Sequence, residues 1–188
     1  MFRKDEHKMP IKIALCYMLA QVLGAFVGAL LLNFYTFDLH PLDYTNKLFF
    51  RALTQEALTT FIYVFFFMTC TDDKLLFSNE KAINCFILAS SYVGARSMFV
   101  GQSQIATTYG AVANPAMALG IMMSTLINNG LRAWSAIYIY PLVPFGGSFL
   151  AVLFYELVYK KTQAFLSHEE EHSDNGSVKD DGALGEHD

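Results

Sequence analysis

The sequence predicts an all-α membrane protein, a helical bundle of four transmembrane helices and one re-entrant half-helix. Three observations carry that reading. Of 188 residues, 54% are hydrophobic and 16% charged, where a soluble domain carries about a quarter charged residues. Residues 13–32 contain no charged side chain, and at about 1.5 Å per residue they reach about 30 Å, the thickness of a bilayer's hydrocarbon core. A shorter apolar piece, 113–126, holds Asn114, Pro115 and Gly120. It is too short to cross, and has the length of a segment that dips into the bilayer and returns.

The elements follow in order. Residues 1–12 are charged and resemble the first part of a secretion signal. The apolar run behind them exceeds the 7–15 residues of a signal's core and no clear small-residue cleavage site follows, so 13–32 is expected to remain as the first span. The second, 52–71, is interrupted only by Glu56, and the third, 82–99, has Arg96 near its end. A half-helix is expected at 114–124. The fourth span, 134–159, contains Glu156 and is followed by Lys160 and Lys161. The membrane domain is thus expected over 13–166. Residues 167–188 carry eight acids and one base, Lys179, with too few large apolar side chains to offset their ordering entropy, and read as a disordered tail.

Four crossings put both termini on one side. That side carries Arg3, Lys4, Lys8, Lys12, Lys74, Lys81, Lys160 and Lys161, against Lys47, Arg51, Arg96 and Arg132 on the other. The excess of bases predicts that both termini are cytoplasmic. Asn175-Gly176-Ser177 fits a glycosylation sequon, which a cytoplasmic tail would not present to the enzyme.

Several function classes drop out. The bases form no patch that would hold nucleic acid. Cys16, Cys70 and Cys85 lie in apolar runs without paired spacing, which argues against a disulfide scaffold or zinc site and predicts small buried side chains. His7, His40, His168, His172 and His187 sit in terminal segments or a loop, and none pairs with an acid inside a span. No metal, cofactor or enzymatic site is expected.

Four features bear on function. Ala20, Gly24 and Gly28 recur every four residues, the spacing that lets membrane helices approach closely, with Gln21 beside them as a polar contact to a partner helix. Glu56 is an ionisable group deep in a span. It either snorkels to the interface or turns inward to accept hydrogen bonds from the backbone of a re-entrant loop, whose N–H groups lipid cannot satisfy. Glu156, close to Tyr159 and Lys160, reads as interfacial. In Gly110-Ala-Val-Ala-Asn114-Pro115-Ala116-Met117-Ala-Leu-Gly120, Asn is a favoured N-cap and Pro fits the first helical position. A short helix starting there would aim its positive dipole end into the protein's interior, as half-helices at membrane substrate sites do.

Taken together these motifs resemble the aquaporins, the major intrinsic protein family, over residues 8–160. The family's second half-helix motif is similar to Gly110–Ala116 followed by Gly120. Its third helix is met by Gln21-Val-Leu-Gly24-Ala25, its fourth by Glu56 with Thr59 or Thr60 and a closing Thr71-Asp72, and its last by Pro141, Pro144, Gly146 and Gly147. The resemblance implies a pore motif of Asn114, Pro115 and Ala116, a loop-supporting Glu56, and helix packing at Gly24, Gly28, Gly146 and Gly147. Outer-filter positions would fall at Met117, Ser91 (or Tyr92) and Ala111, with Arg96 close in sequence.

The resemblance also implies a passive channel for water or a small neutral solute such as glycerol, embedded in a lipid bilayer, without nucleic acid, and assembled as a homo- or hetero-oligomer, a tetramer in the family. Two departures stand beside it. The family has six spans and two Asn-Pro-Ala half-helices, and here the first two helices and the first half-helix have no counterpart. Met117 also stands where the family carries an Arg. The alternative is a non-conducting, aquaporin-related structural or interaction subunit of a membrane assembly.

Overall fold

In hydrocarbon every backbone N–H and C=O must be paired within its own segment, so a long uncharged run becomes helix whatever its side-chain periodicity. The computed structural model describes residues 10–36, 49–98 and 111–167. It is an all-α bundle of α1 (Ile11–Thr36), α2 (Phe49–Thr71), α3 (Lys81–Ser97), α4 (Pro115–Asn129) and α5 (Val143–Phe154). A 3₁₀ turn, Gly130–Trp134, follows α4, and α5 passes through a π-helical turn, Tyr155–Tyr159, into helix over 160–167. Residues 1–9, Phe99 and the acidic tail beyond 167 lie outside the described residues.

By length and composition α1 and α2 each suffice to cross a membrane. Large apolar side chains stand outward along the helices, among them Leu19 at 65%, Leu31 at 66% and Phe86 at 73% exposure. An apolar surface this continuous suits lipid and not water.

Two elements differ from the sequence expectation. The half-helix runs past 124 to Asn129, where Gly130 takes a positive φ of 54° and donates its N–H to the Leu126 carbonyl. The last span is a regular helix only from Val143, not from Trp134. Proline explains this, because Pro141 and Pro144 have no N–H to continue the helical ladder. Residues 135–142 form tight turns instead, with Ile139 N–H donating to the Ala136 carbonyl at 3.0 Å and Val143 N–H to the Ile139 carbonyl at 2.9 Å.

The helices pack as α1 against α4, and α2 between α3 and α5. Thr59 of α2 meets Ala95 of α3 and Tyr63 meets Tyr92, an antiparallel pair. Phe61 and Phe65 of α2 meet Phe154, and Asp72 meets Tyr155, a parallel pair. Val112, Ala118, Met122, Ala136, Ile139 and Tyr140 form a buried cluster, with Phe49, Ala52, Met117, Ile121 and Val143 packed on it. It fixes α4 beside the first turn of α2.

Two glycines permit the close contacts. A Cβ on Gly120 would stand 2.5 Å from the Ala25 backbone carbon, and one on Gly147 would stand 2.5 Å from the Ala57 carbonyl oxygen. Gly147 therefore sits where a side chain would clash with α2, whereas an added Cβ on Gly24, Gly28 or Gly146 meets nothing within 4 Å. Helix α1 uses the stripe one residue along, through Ala25, Ala29 and Asn33, of which the last two are buried. Beyond it Asn33 accepts from Asn128 Nδ2 at 2.9 Å and donates to the Ser124 carbonyl at 3.4 Å. The cysteines also depart from expectation: Cys16 and Cys85 are exposed and Cys70 half-buried, because these thin helices leave much of each apolar run facing outward.

Gly120→Ala forces α1 and α4 apart and should cost about 1–3 kcal/mol, the usual range for overpacking. Gly24→Ala has room and gains helix propensity. Thermal unfolding of the detergent-solubilised chain is expected to show a lower midpoint for the first variant and an unchanged or slightly higher one for the second. Equal responses would mean that α1 and α4 do not meet at Gly120.

Candidate functional site: the tip of the half-helix

The N-terminus of a helix leaves backbone N–H groups without intrahelical partners, and inside a membrane they must be satisfied by the protein. Asn114 does this for α4. Its backbone is extended, at φ −145° and ψ 110°, and its Oδ1 accepts from Ala116 N–H at 3.0 Å and Met117 N–H at 3.3 Å. Pro115 occupies the first helical position, where its missing donor costs nothing. The Asn114 carbonyl accepts the first helical bond, from Ala118 N–H at 3.0 Å. Asn114 itself is exposed.

The loop before the helix is deeply buried, with Ala111 at 0%, Val112 at 2% and Ala113 at 7% exposure. Its N–H groups find the Glu56 carboxylate on α2. Val112 N–H donates to Oε1 and Ala113 N–H to Oε2, each at 2.7 Å. Glu56 is itself 1% exposed, so it turns inward and does not snorkel. Arg96 of α3 stands within electrostatic reach of this carboxylate and is steadied by Tyr92, whose hydroxyl accepts from Nη1 at 3.3 Å. One turn along α2, the Thr59 hydroxyl donates to the Ala95 carbonyl at 3.3 Å and ties α3 to the same level. Ala113 adopts φ 51°, a left-handed conformation costing a non-glycine residue about 1–2 kcal/mol. The two short charge-assisted bonds to Glu56 hold it there.

The structure thus brings Glu56, Ala111, Asn114, Pro115 and Ala116 together, along with Arg96, but treats the filter positions unequally. Met117 is half-buried and packs against the apolar cluster, as Phe49 and Ala52 also do. Ala111 is wholly enclosed. Ser91 is half-buried on α3 and donates to the Leu88 carbonyl of its own helix at 2.7 Å. Residues 108–110 of the loop lie outside the described residues.

Sequence reasoning passed over two features. Ala25 opposite Gly120 looks like any alanine in an apolar run. The second is a polar knot at the far end of the bundle. Buried Asp72 accepts from the Tyr155 hydroxyl at 2.9 Å and lies 3.7 Å from Lys160 Nζ, which also pairs with Glu156 at 3.6 Å. An acid just after an apolar run, with Tyr and Lys closing another, was the available signal.

Comparison with known proteins agrees with this architecture. Residues 6–155 match the family model described as major intrinsic protein. Similar curated proteins include Aquaporin PIP2-4 of Oryza sativa subsp. japonica, 29% identical, and Aquaporin PIP1-1 of Musa acuminata, 30% identical. In each case the match covers 81% of this chain and 54% of the relative. Aquaporin PIP2-5 of Zea mays is 28% identical over 85% of this chain and 56% of its own length. The chain spans about half the length of the curated relatives it matches. No solved structure matches it.

Glu56→Gln replaces one carboxylate oxygen by an NH₂ group that cannot accept, leaving one of the two buried loop amides without a partner. A loss of about 1–3 kcal/mol is expected. Hydrogen exchange read by mass spectrometry should quicken in a fragment spanning 111–117, while the α2–α5 contact region stays protected. Unchanged protection over 111–117 would mean that the carboxylate does not hold the loop.

Proposed function

Because the chain belongs to the major intrinsic protein family, we propose that it conducts water or small uncharged solutes such as glycerol passively across a bilayer, along a path that runs past Asn114. One observation carries this reading: Asn114 Oδ1 is committed to capping α4, which leaves Nδ2 at an exposed position as a fixed hydrogen-bond donor. Nδ2 and the carbonyls of the buried loop would orient a passing molecule between an apolar wall and the positive end of α4. That dipole end repels cations. With Met117 against the apolar cluster and no fixed charge at that position, the outer constriction favours small neutral solutes at least as well as water. A channel of this kind needs no cofactor and no bond-making chemistry.

Orientation and assembly belong to the same proposal. The end of the bundle where α2 finishes and α3 begins carries Lys74, Lys81, Lys160 and Lys161, with Lys12 at the start of α1. Arg51, Arg96 and Arg132 lie toward the other end. The excess of bases favours a cytoplasmic location for the first end and so for both termini. Assembly as an oligomer, a tetramer in the family, would cover part of the exposed apolar surface.

Vesicles holding the purified chain test the proposal by light scattering after an osmotic step in sucrose or glycerol. Faster volume change than in protein-free vesicles is expected for at least one of the two. Asn114→Asp keeps the helix cap, since Asp caps as well as Asn, but removes the donor and adds a charge. It should lower the protein-dependent rate at least about tenfold, the effect of about 1.4 kcal/mol on a barrier, with little change in unfolding temperature. No excess rate in the parent chain would remove conduction from it and leave a structural role.

A further inference from the structure

The α2–α3 interface sets two cysteines opposite one another. The two helices run antiparallel, with the Thr59 hydroxyl on the Ala95 carbonyl and the Tyr63 and Tyr92 ring centroids 5.1 Å apart. Seven residues are about two helical turns and return to the same face. Seven steps forward along α2 from Tyr63 and seven steps back along α3 from Tyr92 arrive at Cys70 and Cys85. The two thiols therefore share a level and a seam. Both thiols are free, with Cys85 exposed and Cys70 half-buried. Cys70 is the last residue but one of α2 and Cys85 lies one turn into α3, which starts at Lys81, so both stand near an end of the bundle that a small uncharged oxidant reaches from the aqueous side. Cys16 lies on α1, which packs against α4 and not against this seam.

We propose that Cys70 and Cys85 form an oxidisable dithiol that closes into an intramolecular disulfide across the α2–α3 seam. The oxidant is a hydroperoxide. One sulfur attacks a peroxide oxygen and the O–O bond breaks, leaving a sulfenic acid and releasing water (or the alcohol). The second sulfur then attacks the sulfenic sulfur, the S–O bond breaks, a second water leaves with the thiol proton, and the S–S bond forms. Two thiols are oxidised by two electrons and one peroxide is reduced. The bridge closes the chain around the loop that carries Asp72, the partner of Tyr155 and Lys160. It therefore braces α2, α3 and α5 at one end of the bundle.

The test uses the full chain in vesicles. Hydrogen peroxide treatment is followed by alkylation with N-ethylmaleimide and tryptic digestion without reductant. Cleavage after Arg51, Lys74, Lys81 and Arg96 places the cysteines on separate peptides, 52–74 and 82–96. Most of the Cys70 peptide should appear covalently joined to the Cys85 peptide, and both should be released by dithiothreitol. In a mixture of ¹⁵N-labelled and unlabelled chains the joined peptides should be wholly heavy or wholly light. Cys85→Ser should leave Cys70 unbridged, while the folded chain keeps its unfolding temperature. Recovery of the two peptides separately from the treated parent chain, joined pairs of mixed isotope, or bridges to Cys16 in place of Cys85 would each overturn the proposal.

Discussion

A carboxylate buried in an apolar bundle is costly unless each of its oxygens is used, and an irregular loop at the same depth is costly unless each of its N–H groups is used. Glu56 and the Val112–Ala113 amides meet both requirements at once, with two bonds of 2.7 Å. Much of the molecule follows from that exchange. Ala113 is held in a conformation it would not choose alone, Asn114 is delivered to the cap position, and α4 begins where its positive end faces the interior. Helix α4 then has a fixed place to pack, with Gly120 on Ala25 on one side and the apolar cluster on the other.

The same logic separates the two ends of the bundle. At one end, Asn33 and Asn128 tie the last turns of α1 and α4 together, so the half-helix is anchored at its base as well as its tip. At the other, Asp72 collects the Tyr155 hydroxyl, the Lys160 ammonium and the Lys74 backbone N–H. The π-helical turn of Tyr155–Tyr159 lies at that point. A single buried acid thus joins α2 to the helix that follows it in space. Between the two knots the helices are joined by the Glu56 and Thr59 hydrogen bonds and by close backbone approach, as at Gly147 on Ala57.

The parts of this fold that are legible in the sequence are those where lipid leaves the chain no choice. An uncharged run across 13–32 becomes helix, Asn-Pro becomes a capped start, and Glu56 in an apolar run points to something that satisfies it. Less legible is which stripe of a uniformly apolar helix meets its neighbour. Gly24 and Gly28 have the right spacing and face open space, while Ala25 and Ala29, one residue along, make the contact. In such a helix the hydrophobic pattern does not distinguish one face from another, and packing shape decides. The start of the last helix is a different kind of miss. Pro141 and Pro144 mark the family resemblance, and their missing N–H groups also break the helical ladder over 135–142.

The most direct measurement of the central claim is magic-angle-spinning NMR of the chain in lipid, with ¹³C in the Glu side chains and ¹⁵N in Val and Ala backbones. Through-space transfer should connect the Glu56 carboxylate carbon to the Val112 and Ala113 nitrogens, with neither amide exchanging readily with water. A Glu56 carboxylate that shows transfer from water and none from those two nitrogens would contradict the account.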